Sequence, residues 1–259
     1  MKLDWDEEFP SDIKKKWLKW ISKISQITNL SFPRCIFPSE SISELEMHVF
    51  SDASSIGYAS VCYCRFKYNG VHVLKFLFDK RKVCLSNNKL TIPKLELLAA
   101  FMSIRVASSM LKEVPLNFLL TGYWTDSMAV LQLIRNTARC FDVFVANRLS
   151  MIHEFSAPAS WKFCPTELNS AGIGTRFASP KKFEQFKSWF DGPGLLLTPE
   201  CNWSEQPSNN INYDANIASL NIPKVENSEL LIDPFMAYII YYSTYSHFLR
   251  ACCYIIRFF

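Results

Sequence analysis

The pair Asn69-Gly70 constrains this chain most. Both residues tolerate the left-handed backbone that a two-residue hairpin turn needs, and both flanks are rich in strand formers. Gly57–Phe66 lies before the pair and Val71–Phe78 after it. Upstream, Glu46-Met47-His48-Val49-Phe50 alternates polar and apolar, the period of a half-buried strand, and a strand is expected over Glu46–Asp52. Three strands in series joined by short turns make an antiparallel meander.

The period then changes. Thr91 can cap a helix, Pro93 suits its first turn, and Leu95, Leu98, Met102 and Val106 recur on one helical face as far as about Glu113. A strand is expected over Asn117–Thr125. Ser127 can cap a helix over Met128–Arg135, and a further helix covers Asp142–Phe155. Ala159–Cys164 reads as a last short strand, Thr166–Asn169 as a turn, and a helix starts near Ala171. The order β-β-β-α-β-α-α-β-α predicts an α/β fold: a mixed sheet of about five strands, three in the meander and the rest reached by strand–helix crossovers, with helices packed on it.

Two acids stand where strands stop. Asp52 ends the first strand, and Asp126 ends the fourth in Trp124-Thr125-Asp126-Ser127. Glu96 lies early in the helix between them, at the border of its apolar face. An isolated Asp before a turn is usually an ordinary turn residue. If the first and fourth strands are parallel neighbours, however, both Asp carboxylates meet at one end of the sheet and Glu96 packs across it. Three acids without bases repel, so the grouping calls for hard divalent cations, Mg²⁺ or Mn²⁺, with Asp52, Glu96 and Asp126 as metal ligands.

Other chemistries lack support. None of the nine cysteines forms a C-x-x-C and the four histidines form no H-x-x-x-H, so a zinc site is not expected. Gly172-Ile173-Gly174 is a lone G-x-G, which argues for no phosphate-binding loop and no small-molecule cofactor. The net charge of +4 permits nucleic-acid binding without arguing for it. The acidic start is not a signal peptide. A cytoplasmic location with reduced, buried thiols is expected, a nuclear one remaining open; Cys62 and Cys64 read as core residues sharing one strand face.

Outside the sheet, residues 1–45 read as an upstream helix capped by Ser11, with Trp17, Ile21 and Ile24 as its apolar stripe, followed by a linker. Residues 46–180 form the main domain and 181–229 an extension that turns polar after Pro199. Residues 230–259 are apolar, but Asp233, His247, Arg250 and Arg257 interrupt them, which argues against a membrane span. A truncated connecting helix is the favoured reading.

Taken together, Phe50-Ser51-Asp52-Ala53-Ser54, Leu90-Thr91-Ile92-Pro93-Lys94-Leu95-Glu96-Leu97-Leu98 and Trp124-Thr125-Asp126-Ser127 resemble the ribonuclease H-like region of Pao/BEL retrotransposon polyproteins. Phe144-Val145-Ala146-Asn147-Arg148, Trp189-Phe190-Asp191-Gly192-Pro193 and the upstream Leu3-Asp4-Trp5-Asp6 and Pro33-Arg34-Cys35 extend the resemblance over roughly residues 1 to 197. The resemblance implies a ribonuclease H-like fold and two-metal hydrolysis of RNA in an RNA–DNA hybrid, with Asp52, Glu96 and Asp126 as the first three catalytic, metal-binding acids. Ser54, Ser127, Asn169 and Arg176 become the expected substrate contacts. The family's fourth acid is absent: Asn169-Ser170-Ala171-Gly172 places glycine there, and Thr175-Arg176 still follow in register. Glu167 is nearby but belongs to the preceding turn, so its substitution for the fourth acid is not the favoured reading. The alternative function is a catalytically inactive nucleic-acid-binding or structural remnant of a retroelement polyprotein. The oligomeric state is not legible.

Overall fold

A computed structural model of the chain describes residues 8, 10–24, 35–37, 42–84, 90–114, 116–136, 141–176, 189–200 and 203. The elements in order are α1 (Ser11–Ile24), β1 (Ser43–Ala53), β2 (Gly57–Tyr68), β3 (Val71–Val83), α2 (Ile92–Glu113), β4 (Leu120–Thr125), α3 (Met128–Arg135), α4 (Val143–Phe155), β5 (Trp161–Phe163) and α5 (Ala171–Thr175). The strands form one sheet in the order β3-β2-β1-β4-β5. β1, β2 and β3 pair antiparallel, while β4 and β5 join parallel to β1. This is the mixed five-strand α/β arrangement expected from the order of elements, a three-strand antiparallel meander followed by two parallel strands.

The meander follows from its turn. Asn69 and Gly70 both take positive φ, 49° and 78°, as a two-residue turn between twisted strands requires. β3 runs on to Val83 rather than stopping at Phe78, because the charged run Asp79–Lys82 still pairs residue by residue with Tyr58–Val61. As a strand at the margin of the described sheet, β3 can carry lysines and arginine toward water. β4 is shorter than expected and begins at Leu120, and β5 spans only Trp161–Phe163 because Pro158–Ser160 coil into a 3₁₀ turn.

One face of the sheet is covered by α2, α3 and α4. Met47 and Val49 of β1 and Cys62 of β2 pack there with Leu95, Met102 and Val106. Thr91 occupies the cap position of α2 without a side-chain cap bond, whereas Ser127 and Asp142 cap α3 and α4 by accepting from Val130 N and Val145 N. Cys62 and Cys64 are buried as expected; Cys35, by contrast, is exposed, since it lies outside the sheet. α1 forms as expected, and Ile13, Trp17, Leu18 and Ile21 on it are exposed. Residues 204–259, including the apolar end, lie outside the described residues, and among the latter no helix is long and apolar enough to cross a membrane.

The second face is covered by residues 189–200 and Trp203. Trp189, Leu195, Leu196 and Trp203 pack on Phe50, Tyr63 and Trp124. Trp203 falls in the stretch read from sequence as polar, yet it is buried between Arg65, His48 and Trp124. Polar bonds fasten this segment. Arg65 donates from Nε to Leu196 O at 2.7 Å and from Nη2 to Thr198 O at 3.1 Å, and Tyr63 Oη donates to Trp189 O at 2.6 Å. The third arm of Arg65 reaches Glu46 Oε2 at 2.8 Å. That carboxylate also accepts from His48 Nε2 at 3.0 Å, since Trp124 Nε1 donates to His48 Nδ1 at 3.2 Å and so places the imidazole proton on Nε2. Burial holds His48 below its usual pKa.

Candidate functional site

Parallel pairing of β1 with β4 builds the site. Ser51 pairs with Thr125, so Asp52 and Asp126 stand side by side one position further on. Glu96, in the second turn of α2, reaches the same place because Ser127, just past β4, donates from Oγ to Glu96 Oε2. Ser127 therefore holds two jobs, capping α3 and fastening Glu96. The three acids named from sequence are brought together.

Each acid is held through neutral donors. Thr175 Oγ1, at the end of α5, donates to Asp52 Oδ2. Asn169 Nδ2 donates to Asp126 Oδ1 at 3.1 Å and to Ser51 O at 2.9 Å, while Asn169 Oδ1 accepts from Ala171 N at 3.2 Å. Ser54 Oγ donates to Thr175 O at 2.9 Å and accepts from Ile56 N at 3.1 Å, which ties the β1–β2 turn to α5. Ser54, Ser127 and Asn169, expected as substrate contacts, thus spend their polar atoms on positioning. Thr175 is the functional residue that sequence reading passed over. Its only signal was its place before Arg176, and nothing local announces a bond across 123 residues.

The acids have no directly bonded counter-charge. Among the described residues no Lys, Arg or His forms an ion pair with Asp52, Glu96 or Asp126. Burial raises the pKa of Asp52, and the charge of Asp126 adds to this, against the Thr175 bond and the nearby Arg176. Burial likewise raises Glu96, with Asp126 and Asp52 adding, against the Ser127 bond. Glu96 Oε1 and Asp126 Oδ2 take no hydrogen bond from the described residues.

Gly172 lies against this cluster. A Cβ built on it would sit 3.8 Å from Asp52 Oδ2 and 3.9 Å from Arg176 Nη2, ordinary contact distances. A side chain therefore fits at the place where the sequence lacks its fourth acid. Glu167 is exposed in the preceding turn. No group of three or more His, Cys, Asp or Glu among the described residues closes tightly enough to hold a metal as it stands. The donor chemistry nonetheless suits a hard cation: oxygen ligands, net negative charge, and two acids, Asp52 and Glu96, pushed toward protonation by burial with the Asp126 charge adding to both.

The sign of these shifts gives a testable stability profile. A carboxyl raised in the folded state contributes stability that is complete below its unfolded value and is lost as pH rises through its folded value. In metal-free buffer these two acids are expected to contribute less stability at pH 8 than at pH 4, near their unfolded values. Asp52→Asn should raise stability at pH 8, on the order of 1 kcal/mol, and flatten the slope. A variant that is less stable at pH 8, with an unchanged slope, would show that Asp52 is not under repulsion.

Residues 1–127 match the family model described as Pao retrotransposon-like RNaseH-like domain. The match includes Asp52, Glu96 and Asp126 and stops before Asn169 and Gly172. No curated protein matches the chain. Among solved structures, the N-terminal RNase H domain of a Mycobacterium tuberculosis protein is similar at 8% identity and TM-score 0.35, covering 56% of this chain and 96% of that one. LC11-RNase H1 in complex with an RNA/DNA hybrid is similar at 10% identity and TM-score 0.36, covering 54% and 99%. RNase H1 of Halobacterium salinarum is similar at 10% identity and TM-score 0.32, covering 49% and 89%.

Proposed function

We propose, taking residues 1–127 as a Pao retrotransposon-like RNaseH-like domain, that this chain hydrolyses the RNA strand of an RNA–DNA hybrid with help from divalent cations, Mg²⁺ or Mn²⁺. The observation that carries the reading is the convergence of Asp52, Glu96 and Asp126 with only neutral side chains hydrogen-bonded to them. Structural acids in a core are normally paired with bases; these are oriented instead by hydroxyl and amide groups. Asp52, Glu96 and Asp126 are the residues that would hold the ion. When bound, such an ion supplies positive charge to the oxygens of a phosphodiester undergoing displacement.

The protein's own part is orientation. Strand ends fix Asp52 and Asp126, and α2 fixes Glu96. Thr175, Asn169 and Ser127 each lock one oxygen of an acid, which leaves Glu96 Oε1 and Asp126 Oδ2 available. Preorganisation of this kind removes the cost of gathering charge at the moment of reaction.

A labelled RNA–DNA hybrid incubated with the chain in Mg²⁺ or Mn²⁺ tests this. Cleavage confined to the RNA strand is expected, and Asp126→Asn should lower it on the order of 100-fold or more. No cleavage at any metal concentration would remove the enzymatic reading. A second reading, binding without turnover, is favoured by one observation, the missing acid at Gly172. It requires hybrid affinity that falls with salt and does not depend on Asp126.

A further inference from the structure

On the second face of the sheet, polar and aromatic groups form a cage around His48, which is wholly buried. Glu46 of β1 accepts from His48 Nε2, and Arg65 of β2 shares that carboxylate oxygen. Trp124 of β4 donates to His48 Nδ1. Tyr63 stands opposite His48 on β2, and burial pushes its phenol up, so it stays neutral. Lys162 of β5 lies over the rings of Trp203, at 4.2 Å, and Trp124, at 5.5 Å. Trp203 meets the imidazole nearly at right angles, with ring centroids 5.5 Å apart, and Glu200 of the same segment acts on Lys162. A Cβ on Gly122 would stand 2.8 Å from His48 Nδ1, so the β4 backbone leaves no room for even a methyl group there.

We propose that this cage is a pH-sensitive latch: a proton on His48 Nδ1 releases residues 194–200 and Trp203 from a sheet that itself stays folded. In the closed cage Nδ1 accepts the Trp124 N–H. Protonated, it becomes a donor, and two N–H groups then face each other with no acceptor between them. The close approach of Gly122 denies Nδ1 another partner. Charge acts in the same direction, because an imidazolium adds positive charge beside Arg65 and Lys162. Burial lowers the pKa of His48, and Arg65 and Lys162 add to this, against the Glu46 bond. An opened cage returns the imidazole to water and to its ordinary 6.5. Each pH unit below that value shifts the balance about tenfold toward the open form, until His48 titrates in the closed form as well. The strand backbone of Trp124 is fixed by pairing with Phe50, so relief comes from its indole, which packs against Trp203 at 5.2 Å. Trp203 belongs to no strand or helix. Arg65, which shares Glu46 with His48, also holds Leu196 O and Thr198 O, so a rearranged cage reaches this segment directly.

Tryptophan fluorescence and near-ultraviolet circular dichroism of the full chain, followed from pH 7.5 to pH 4, test the latch, and hydrogen–deuterium exchange locates the opening. A reversible transition below pH 6.5 is expected. Peptides covering residues 194–200 and Trp203 should exchange about 10-fold faster or more at the acid end, after correction for intrinsic rates, while peptides of β1 and β2 and the far-ultraviolet signal hold. His48→Gln puts there an amide that can donate to Glu46 and accept from Trp124 but does not titrate, and it should abolish the transition. Every other titratable group is the same in both chains, so a transition that survives in His48→Gln overturns the inference. No transition in the natural chain overturns it too, as does loss of the far-ultraviolet signal in the same step, which is global unfolding. If His48→Gln fails to fold, Trp124→Phe decides. Without the indole donor the neutral imidazole loses its bond, and the midpoint should rise by about 1 pH unit; an unshifted midpoint overturns the latch. Hybrid cleavage plays no part in these measurements, so the proposed function stands or falls separately.

Discussion

Arg65→Leu is expected to cost about 3–5 kcal/mol of stability, the usual penalty for breaking a buried ion pair from one side. Arg65 is 3% exposed and serves three acceptors on two parts of the chain: Glu46 of β1, and the carbonyls of Leu196 and Thr198. Leucine fills much of the volume but leaves a carboxylate and two carbonyls without their donor. The urea midpoint measures the loss. Glu46 supplies an independent check. Burial alone would raise its pKa, but the bonds from His48 and Arg65 more than offset this and hold it at about 2, from an unfolded 4.5. A depressed carboxyl contributes stability that is complete above its unfolded value and lost as pH falls through its folded value. The natural chain should therefore weaken between pH 4.5 and 2, and the Arg65→Leu chain should lose less over that window, having less of this stabilisation to lose. A cost under 1 kcal/mol would mean that residues 194–200 are held by apolar contact alone.

Trp189→Ala is the second large effect, expected at about 3–5 kcal/mol. Trp189 is 1% exposed and packs in the cluster with Phe50 and Trp124. Arg81 lies over its ring at 4.4 Å. A Cβ on Gly174 would come within 2.9 Å of Trp189 Cη2, so α5 rests directly on the indole. Removing the ring leaves a cavity under the helix that carries Thr175. Thermal melting measures the stability. Mn²⁺ affinity is expected to fall in the same variant, because Thr175 would hold Asp52 less firmly. If the melting temperature drops and Mn²⁺ binding stays at its natural value, α5 keeps its place without Trp189.

The parts of the fold visible in the sequence are those governed by local rules. Asn69-Gly70 determines its own turn, and Ser127 and Asp142 cap helices through bonds three residues away. The apolar period of α2 marks its buried face. Alternation gave the meander strands but not their length: Asp79–Lys82 looks like a loop in isolation and is a strand because β2 is beside it. The network of Glu46, His48 and Arg65 was invisible for the same reason. Its members lie on two strands and bond carbonyls 131 and 133 residues away. The candidate acids were legible because strand ends and a helix start are local features, and pairing of β1 with β4 then brings them together. The donors that orient them were not legible. Thr175 and Asn169 reach β1 across more than a hundred residues, and no spacing rule operates at that range.

The parallel pairing of β1 with β4 also sets an order of events as the chain is made. β1, β2 and β3 need only hairpin turns and can associate as soon as they leave the ribosome. The other edge of β1 stays open until β4 follows, and Ser51 waits 73 residues for the Trp124 carbonyl that it bonds. During that interval the strand bearing Asp52 presents unpaired backbone to any neighbouring chain. Pairing with another chain therefore competes with β4 for that edge of β1 until the Leu120–Thr125 segment has emerged.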